Sequence, residues 1–178
     1  MKLIKVILTG VFLVSLVSCK QAVLEIEKDT KFTENAIHLY DEFNDEVFRA
    51  RYRTQIFYDD YSAISDPSLI SSWINDRIHY ASDPYGTDRV DPLSLVMAKG
   101  YCDCEEFALL YLNILYVRFG IKGTFCVCDY GSARSIVEGG YIDHAAIKVD
   151  GVLIEPQSGD TSNYKVGFEY SFDEIFYR

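Results

Sequence analysis

The chain has 178 residues, 49% of them hydrophobic and 25% charged, with a formal net charge of −10 at pH 7. That size and apolar content suit one domain with a full hydrophobic core, and nothing calls for a second. The acidic balance argues against nucleic acid or any other polyanion as a partner.

Residues 1–18 carry Lys2 and Lys5 ahead of an apolar run over 6–17. The run is too short to span a bilayer as a mature helix and has the form of an export signal. It ends Leu16-Val17-Ser18-Cys19, which resembles the bacterial lipobox. That resemblance implies diacylglycerol on Cys19 and removal of residues 1–18. The product is a lipid-anchored membrane lipoprotein of the bacterial cell envelope, facing the periplasm or the cell exterior. An uncleaved anchor or a plain secretory signal is the competing reading. Cleavage leaves about 160 residues, ample for one core. It also removes two lysines, making the remainder more acidic. The polar segment 19–31 then serves as a lipidated tether, and 32–178 as the domain.

A helical pattern begins at Thr33, a suitable N-cap. Ile37, Tyr40, Phe43, Val47 and Phe48 fall on one stripe, with Glu34, Asp41, Asp45 and Glu46 off it. His38 lies in this helix and reads as a solvated or packed residue, not a functional one. Asp66-Pro67 opens the next helix, with Asp as cap and Pro at the first helical position. Leu69, Ile70, Trp73, Ile74 and Ile78 give that helix an apolar face, so Trp73 is a core residue; His79, just past the stripe, is unassigned. Residues 82–92 form a loop, and Pro92 starts a short helix through Ala98.

Next come Cys102, Asp103, Cys104, Glu105 and Glu106, followed by a run apolar on most sides: Phe107, Ala108, Leu109, Leu110, Leu112, Ile114, Leu115, Val117 and Phe119. Such a run predicts a buried helix, and Gly120 supplies its stop. Cys104 then lies at or next to the helix N-terminus. The N–H groups and positive dipole end there favour a thiolate, whereas the adjacent carboxylates oppose it. Cys104 is a candidate nucleophile.

After Gly123 the period changes to two. Residues 124–130 read as a strand, Gly131-Ser132 as a turn and 132–140 as a loop. Residues 141–149 and 152–156 read as two strands joined by the Asp150-Gly151 hairpin. In that hairpin Val149 faces Val152, Ala146 faces Glu155 and His144 faces Gln157. His144, Glu155 and Gln157 therefore share a face, with Glu155 diagonal to His144 and within reach of it. The other face carries Ala145, Ile147, Val149, Val152 and Ile154. If the Cys104 helix packs across the His144 side, the three groups converge. Residues 164–172 form a last strand, and the apolar-polar alternation from Phe172 to Tyr177 has no functional reading.

The stretch Gly100-Tyr101-Cys102-Asp103-Cys104-Glu105-Glu106-Phe107-Ala108 resembles the Gly-Asp-Cys-Asp-Asp-Phe-Ala signature of bacterial transglutaminase-like cysteine hydrolases, in the papain-like superfamily. Asp143-His144-Ala145 and Ile154-Glu155-Pro156-Gln157 follow in the family's order. Upstream, Trp73-Ile74, Tyr80, Asp83 and Asp91-Pro92 resemble its lead-in. The likeness runs from Trp73 to Gln157. One departure is Cys102, where the family usually has a small Gly.

The resemblance implies an α+β, papain-like or transglutaminase-like fold, with the helix carrying the Cys packed on a small antiparallel sheet. It implies a catalytic Cys104, His144 and Glu155. His144 would take the thiol proton and return it to the leaving group, and Glu155 would hold the imidazole. Asp103 and Gln157 are supporting residues. Asp143 should point away from His144, and the turn uses Asp150. The backbone N–H of Cys104 is one oxyanion donor. The implied reaction is acyl transfer through a thioester, normally resolved by water, with no cofactor and no metal. The partner is a peptide, protein or peptidoglycan-peptide substrate carrying a peptide, isopeptide or glutamine amide bond.

Three other cysteines have separate accounts. A disulfide from Cys102 to Cys126 or Cys128 would suit an exported protein. Packed free thiols in a reducing niche are the alternative. Two other functional classes compete with the enzyme. Cys102, Cys104, Cys126, Cys128 and His144 are of zinc-binding type, although the spacing is not Cys-x-x-Cys. A catalytically silent fold binding a peptide or cell-wall fragment is the third class.

Overall fold

The computed structural model of the chain describes residues 56–57, 60–82, 90–129 and 144–177. The export signal, Cys19, the tether, the helix expected from Thr33 with His38, and Asp83 and Asp143 lie outside the described residues.

Asp66 caps the first turn as its position before Pro67 predicts. Its carboxylate accepts the Ser68 N–H at 2.9 Å and the Ser68 hydroxyl at 2.6 Å. A single 3-10 turn (Pro67–Leu69) leads into α1 (Ile70–Asn75). Ile70, Trp73, Ile74 and Ile78 are buried as expected, but Leu69 is exposed. The tighter 3-10 turn rotates Leu69 off the stripe that an α-helix would give it. Next come β1 (His79–Tyr80), α2 (Leu93–Lys99) and β2 (Tyr101–Cys102). The two short strands pair in parallel, His79 with Tyr101 and Tyr80 with Cys102. Neither strand is legible from alternation, because two residues carry no period.

The central element is α3 (Cys104–Phe119), buried on every side from Cys104 to Leu115. Gly120 ends it with φ at 69°, a left-handed conformation that costs glycine nothing sterically. Asn113 is fully buried in this helix. Its amide, oriented by its neighbours, donates to the Phe57 carbonyl at 2.8 Å and accepts the Phe57 N–H at 3.2 Å.

The sheet that α3 covers holds β3 (Thr124–Asp129), β4 (His144–Val149), β5 (Val152–Ile154) and β6 (Lys165–Ser171), in the order β5-β4-β3-β6. All three pairings are antiparallel. The chain is thus α+β with a small antiparallel sheet. Asp150 and Gly151 both adopt positive φ, as a two-residue hairpin of this type requires, and Val149 pairs with Val152. β5 stops at Ile154, earlier than expected. There the chain doubles back, with Glu155 N–H donating to the Asp160 carbonyl and Gly159 N–H to that of Glu155.

Phe125, Val127, Ala145 and Ile147 join α3 in one core, while Cys126, Cys128, Ala146 and Leu153 form a second cluster with Tyr164 and Val166. The helix therefore lies on the Ala145 face of the sheet, not on the side expected to carry His144. An all-round apolar helix buries more apolar area against that face than against one bearing His and Glu. The last residues form α4 (Phe172–Phe176), not an alternating tail. Ser171 caps it, and Phe172, Ile175 and Phe176 bury one helical stripe. No helix among the described residues is long and apolar enough to cross a membrane.

Candidate functional site

Cys104 is the first residue of α3, with Asp103 as its N-cap. Glu106 reaches back so that its carboxylate accepts the Asp103 N–H at 3.3 Å. Glu106 also accepts the Asp91 N–H, and Asp91 pairs with Lys99 at 2.6 Å. This polar group lies under the start of the helix. Burial and the hydrogen bond with Asp103 raise the Glu106 carboxyl to about 8, although the two backbone N–H groups oppose the shift.

The Cys104 thiol is 5% exposed and donates to the Glu105 carboxylate at 3.1 Å. Burial pushes its pKa well above the ordinary value, and the Glu105 and Asp103 charges add to that. On the other side the sulfur receives the backbone N–H of Ala145, which favours the thiolate. The helix start does not dominate as its dipole alone would suggest, because two carboxylates and burial outweigh it. The resting group is a neutral thiol.

Ala145 follows His144, so Cys104 meets β4 beside the histidine. His144 is buried, pairs with Cys128 across the β3–β4 ladder, and lies edge-on to Tyr164 with ring centroids 5.2 Å apart. Its Nε2 is 2.6 Å from Glu155 Oε2. Glu155 is thus a direct partner, not merely a diagonal neighbour, since the chain turns immediately after β5. Burial opposes ionisation of Glu155. The hydrogen bond and charge of His144, the Gln157 N–H and the Tyr164 hydroxyl together outweigh it and hold the carboxyl below its usual range.

Gln157 supports this arrangement through its main chain. Its N–H donates to Glu155 Oε1 at 3.1 Å, and its carbonyl accepts from Asn75 Nδ2 at 2.5 Å. Ser71 donates to the Pro156 carbonyl at 2.8 Å, so α1 anchors the segment that carries Glu155. Tyr164 is absent from the sequence reading of this site, and Glu105 enters it only as one of the carboxylates that oppose the thiolate, not as a bonded partner of the sulfur. Tyr164 donates to Glu155 Oε2 at 2.9 Å, and Glu105 turns onto the sulfur. The only sequence signal for Glu105 is its adjacency to Cys104; Tyr164 lies beyond a turn and carries none.

Cys102, Cys104, Cys126 and Cys128 are buried free thiols. The bridges considered from Cys102 to Cys126 or Cys128 are not formed: Cys102 packs in the helix-side core, whereas the other two lie in the cluster beyond the sheet. The same separation keeps Cys104 from Cys126 and Cys128. Among the described residues no group of three or more His, Cys, Asp or Glu is placed to hold a metal ion. The Cys104 sulfur thus meets the main chain of β4 next to His144, while the His144 side chain, on the strand position facing Cys128, pairs with Glu155. No protein-family model, curated protein or solved structure matches the chain.

Proposed function

We propose that the domain is a papain-like, transglutaminase-type thiol acyltransferase or hydrolase carried on a lipid anchor at Cys19. The observation that supports it most is the 2.6 Å contact between His144 and Glu155, formed beside the strand residue whose N–H meets the Cys104 sulfur. Cys104 thereby meets the main chain of β4 next to His144.

In the reaction, the Cys104 sulfur attacks the acyl carbon of a peptide, isopeptide or glutamine amide, and its proton passes to His144. The sulfur–carbon bond forms, the carbon–nitrogen bond breaks, and the amine leaves with the proton from His144. Water then attacks the thioester, gives its proton to His144, and the thiol is restored as the acid departs. Glu155 keeps the imidazole oriented and stabilises its cation. The Cys104 N–H, in the first helical turn, is a donor for the oxyanion.

Intact-mass analysis of the full-length protein treated with a peptide aryl ester tests this reading. The expected result is an acyl adduct on Cys104 that turns over, absent in Cys104→Ala and slowed about 10²-fold or more in His144→Ala. No adduct on the wild type, or equal acylation in His144→Ala, overturns it. A second reading has its own support in the buried, carboxylate-bound thiol: a silent site binding a peptide or cell-wall fragment. It predicts peptide binding without any adduct.

A further inference from the structure

Glu105 follows Cys104 directly, and a carboxylate at that position would favour the helix dipole even if it faced water. It does not face water. The side chain belongs to a residue only 9% exposed, and its Oε2 is 3.1 Å from the Cys104 sulfur. An ionised carboxylate only accepts hydrogen bonds, so the sulfur must be the donor and must keep its proton. Withdrawing that proton would leave two anions facing each other in a site closed to water, and the contact therefore selects the thiol.

We infer that Glu105 is a positioning residue that keeps Cys104 latent, holding its S–H until a bound substrate displaces the contact and the proton passes from sulfur to His144. The inference deepens the acyl-transfer reading and rests on it for the last step. Several groups among the described residues act on the sulfur. Asp103 and Glu105 flank it in sequence, and the phenol of Tyr80 in β1, raised to about 12 mainly by burial and less by the Cys104 charge, is protonated throughout the neutral range. Ala145 N–H reaches it from β4, and the residue before Ala145, His144, pairs with Glu155. On the α2 side, Lys99 is held by Asp91. Of these, Glu105 is the carboxylate that accepts from the sulfur, at 3.1 Å. A latent thiol also resists oxidation and stray alkylation, both of which proceed through the thiolate.

The test is the pH profile of iodoacetamide labelling in the full-length protein in detergent micelles, mapped by peptide mass spectrometry. In Glu105→Gln, an amide of the same shape can donate to sulfur. The Cys104 profile should move down by one unit or more. A one-unit fall gives about tenfold more thiolate. Its lower intrinsic reactivity leaves about threefold faster labelling at pH 7. Cys102, Cys126 and Cys128 should keep their wild-type labelling profiles and so report intact structure. An unmoved or upward-moved Cys104 profile overturns the inference. Should Glu105→Gln expose all four thiols, Glu105→Asp is read by the same criterion, since it keeps the charge but draws the carboxylate back by one methylene. Aryl-ester acylation run alongside separates the two ideas. An unmoved profile in a protein that is still acylated retires the latch alone. A downward shift without acylation leaves the latch on a non-catalytic thiol.

Discussion

His144 and Glu155, eleven residues apart, meet through Nε2 and Oε2 at 2.6 Å, and that contact is the largest of those that together outweigh the effect of burial on the carboxylate. Glu155→Gln should keep the shape but remove the charge that stabilises an imidazolium. Acylation by the aryl ester should fall by about 10²- to 10⁴-fold. The sign of the stability effect follows from the lowered pKa. A depressed carboxyl contributes stability above its unfolded value of 4.5, and that contribution is lost as pH falls through the folded value. Thermal melts below pH 4.5 should therefore drop more steeply for wild type than for Glu155→Gln.

Tyr164 donates to the same Glu155 oxygen at 2.9 Å and stacks edge-on against His144. Tyr164→Phe keeps the ring and removes one hydrogen bond, for about 1 kcal/mol of stability. Acylation should fall by less than in Glu155→Gln, because the carboxylate remains charged. A larger fall would place the Tyr164 hydroxyl in the reaction itself.

Glu106 titrates with the opposite sign. Its carboxyl is raised from 4.5 to about 8, so between those values the folded state holds a proton that the unfolded chain has released. Stability from this group is fully present below 4.5 and declines as pH rises toward 8. Denaturation midpoints measured across that window should show the slope in wild type. Glu106→Gln should flatten it.

Gly123 lies where the connection from α3 enters β3. A Cβ there would come 2.7 Å from Leu112 Cδ2 and 3.1 Å from the Lys148 carbonyl. Leu112 is fully buried and cannot swing into solvent. Gly123→Ala should cost about 1–3 kcal/mol through overpacking. The urea midpoint should fall while the slope of unfolding free energy stays constant.

Much of the local structure is legible in the sequence because its causes are local. The apolar surround of residues 107–119, the carboxylates before it and Gly120 after it specify a buried helix beginning at Cys104. Asp150-Gly151 specifies a two-residue hairpin, and with it the pairing of Val149 with Val152. That register places His144 and Glu155 within reach of each other before any tertiary contact is considered. Where the signal is weak, local reading fails. Two-residue strands have no period, Leu69 leaves its stripe in a 3-10 turn, and the Phe172–Tyr177 segment forms a capped helix despite its alternation.

Tertiary structure decided which side of the sheet α3 covers, that α1 anchors the Glu155 segment, and that Tyr164 returns to it from beyond a turn. It also decided the protonation of Cys104. The dipole of a helix start is a local property and favours a thiolate. Burial, and the turning of Glu105 onto the sulfur, arise only when the helix is packed. Sequence determines which charges are neighbours along the chain; packing removes the water that would have screened them, and so decides which neighbour prevails.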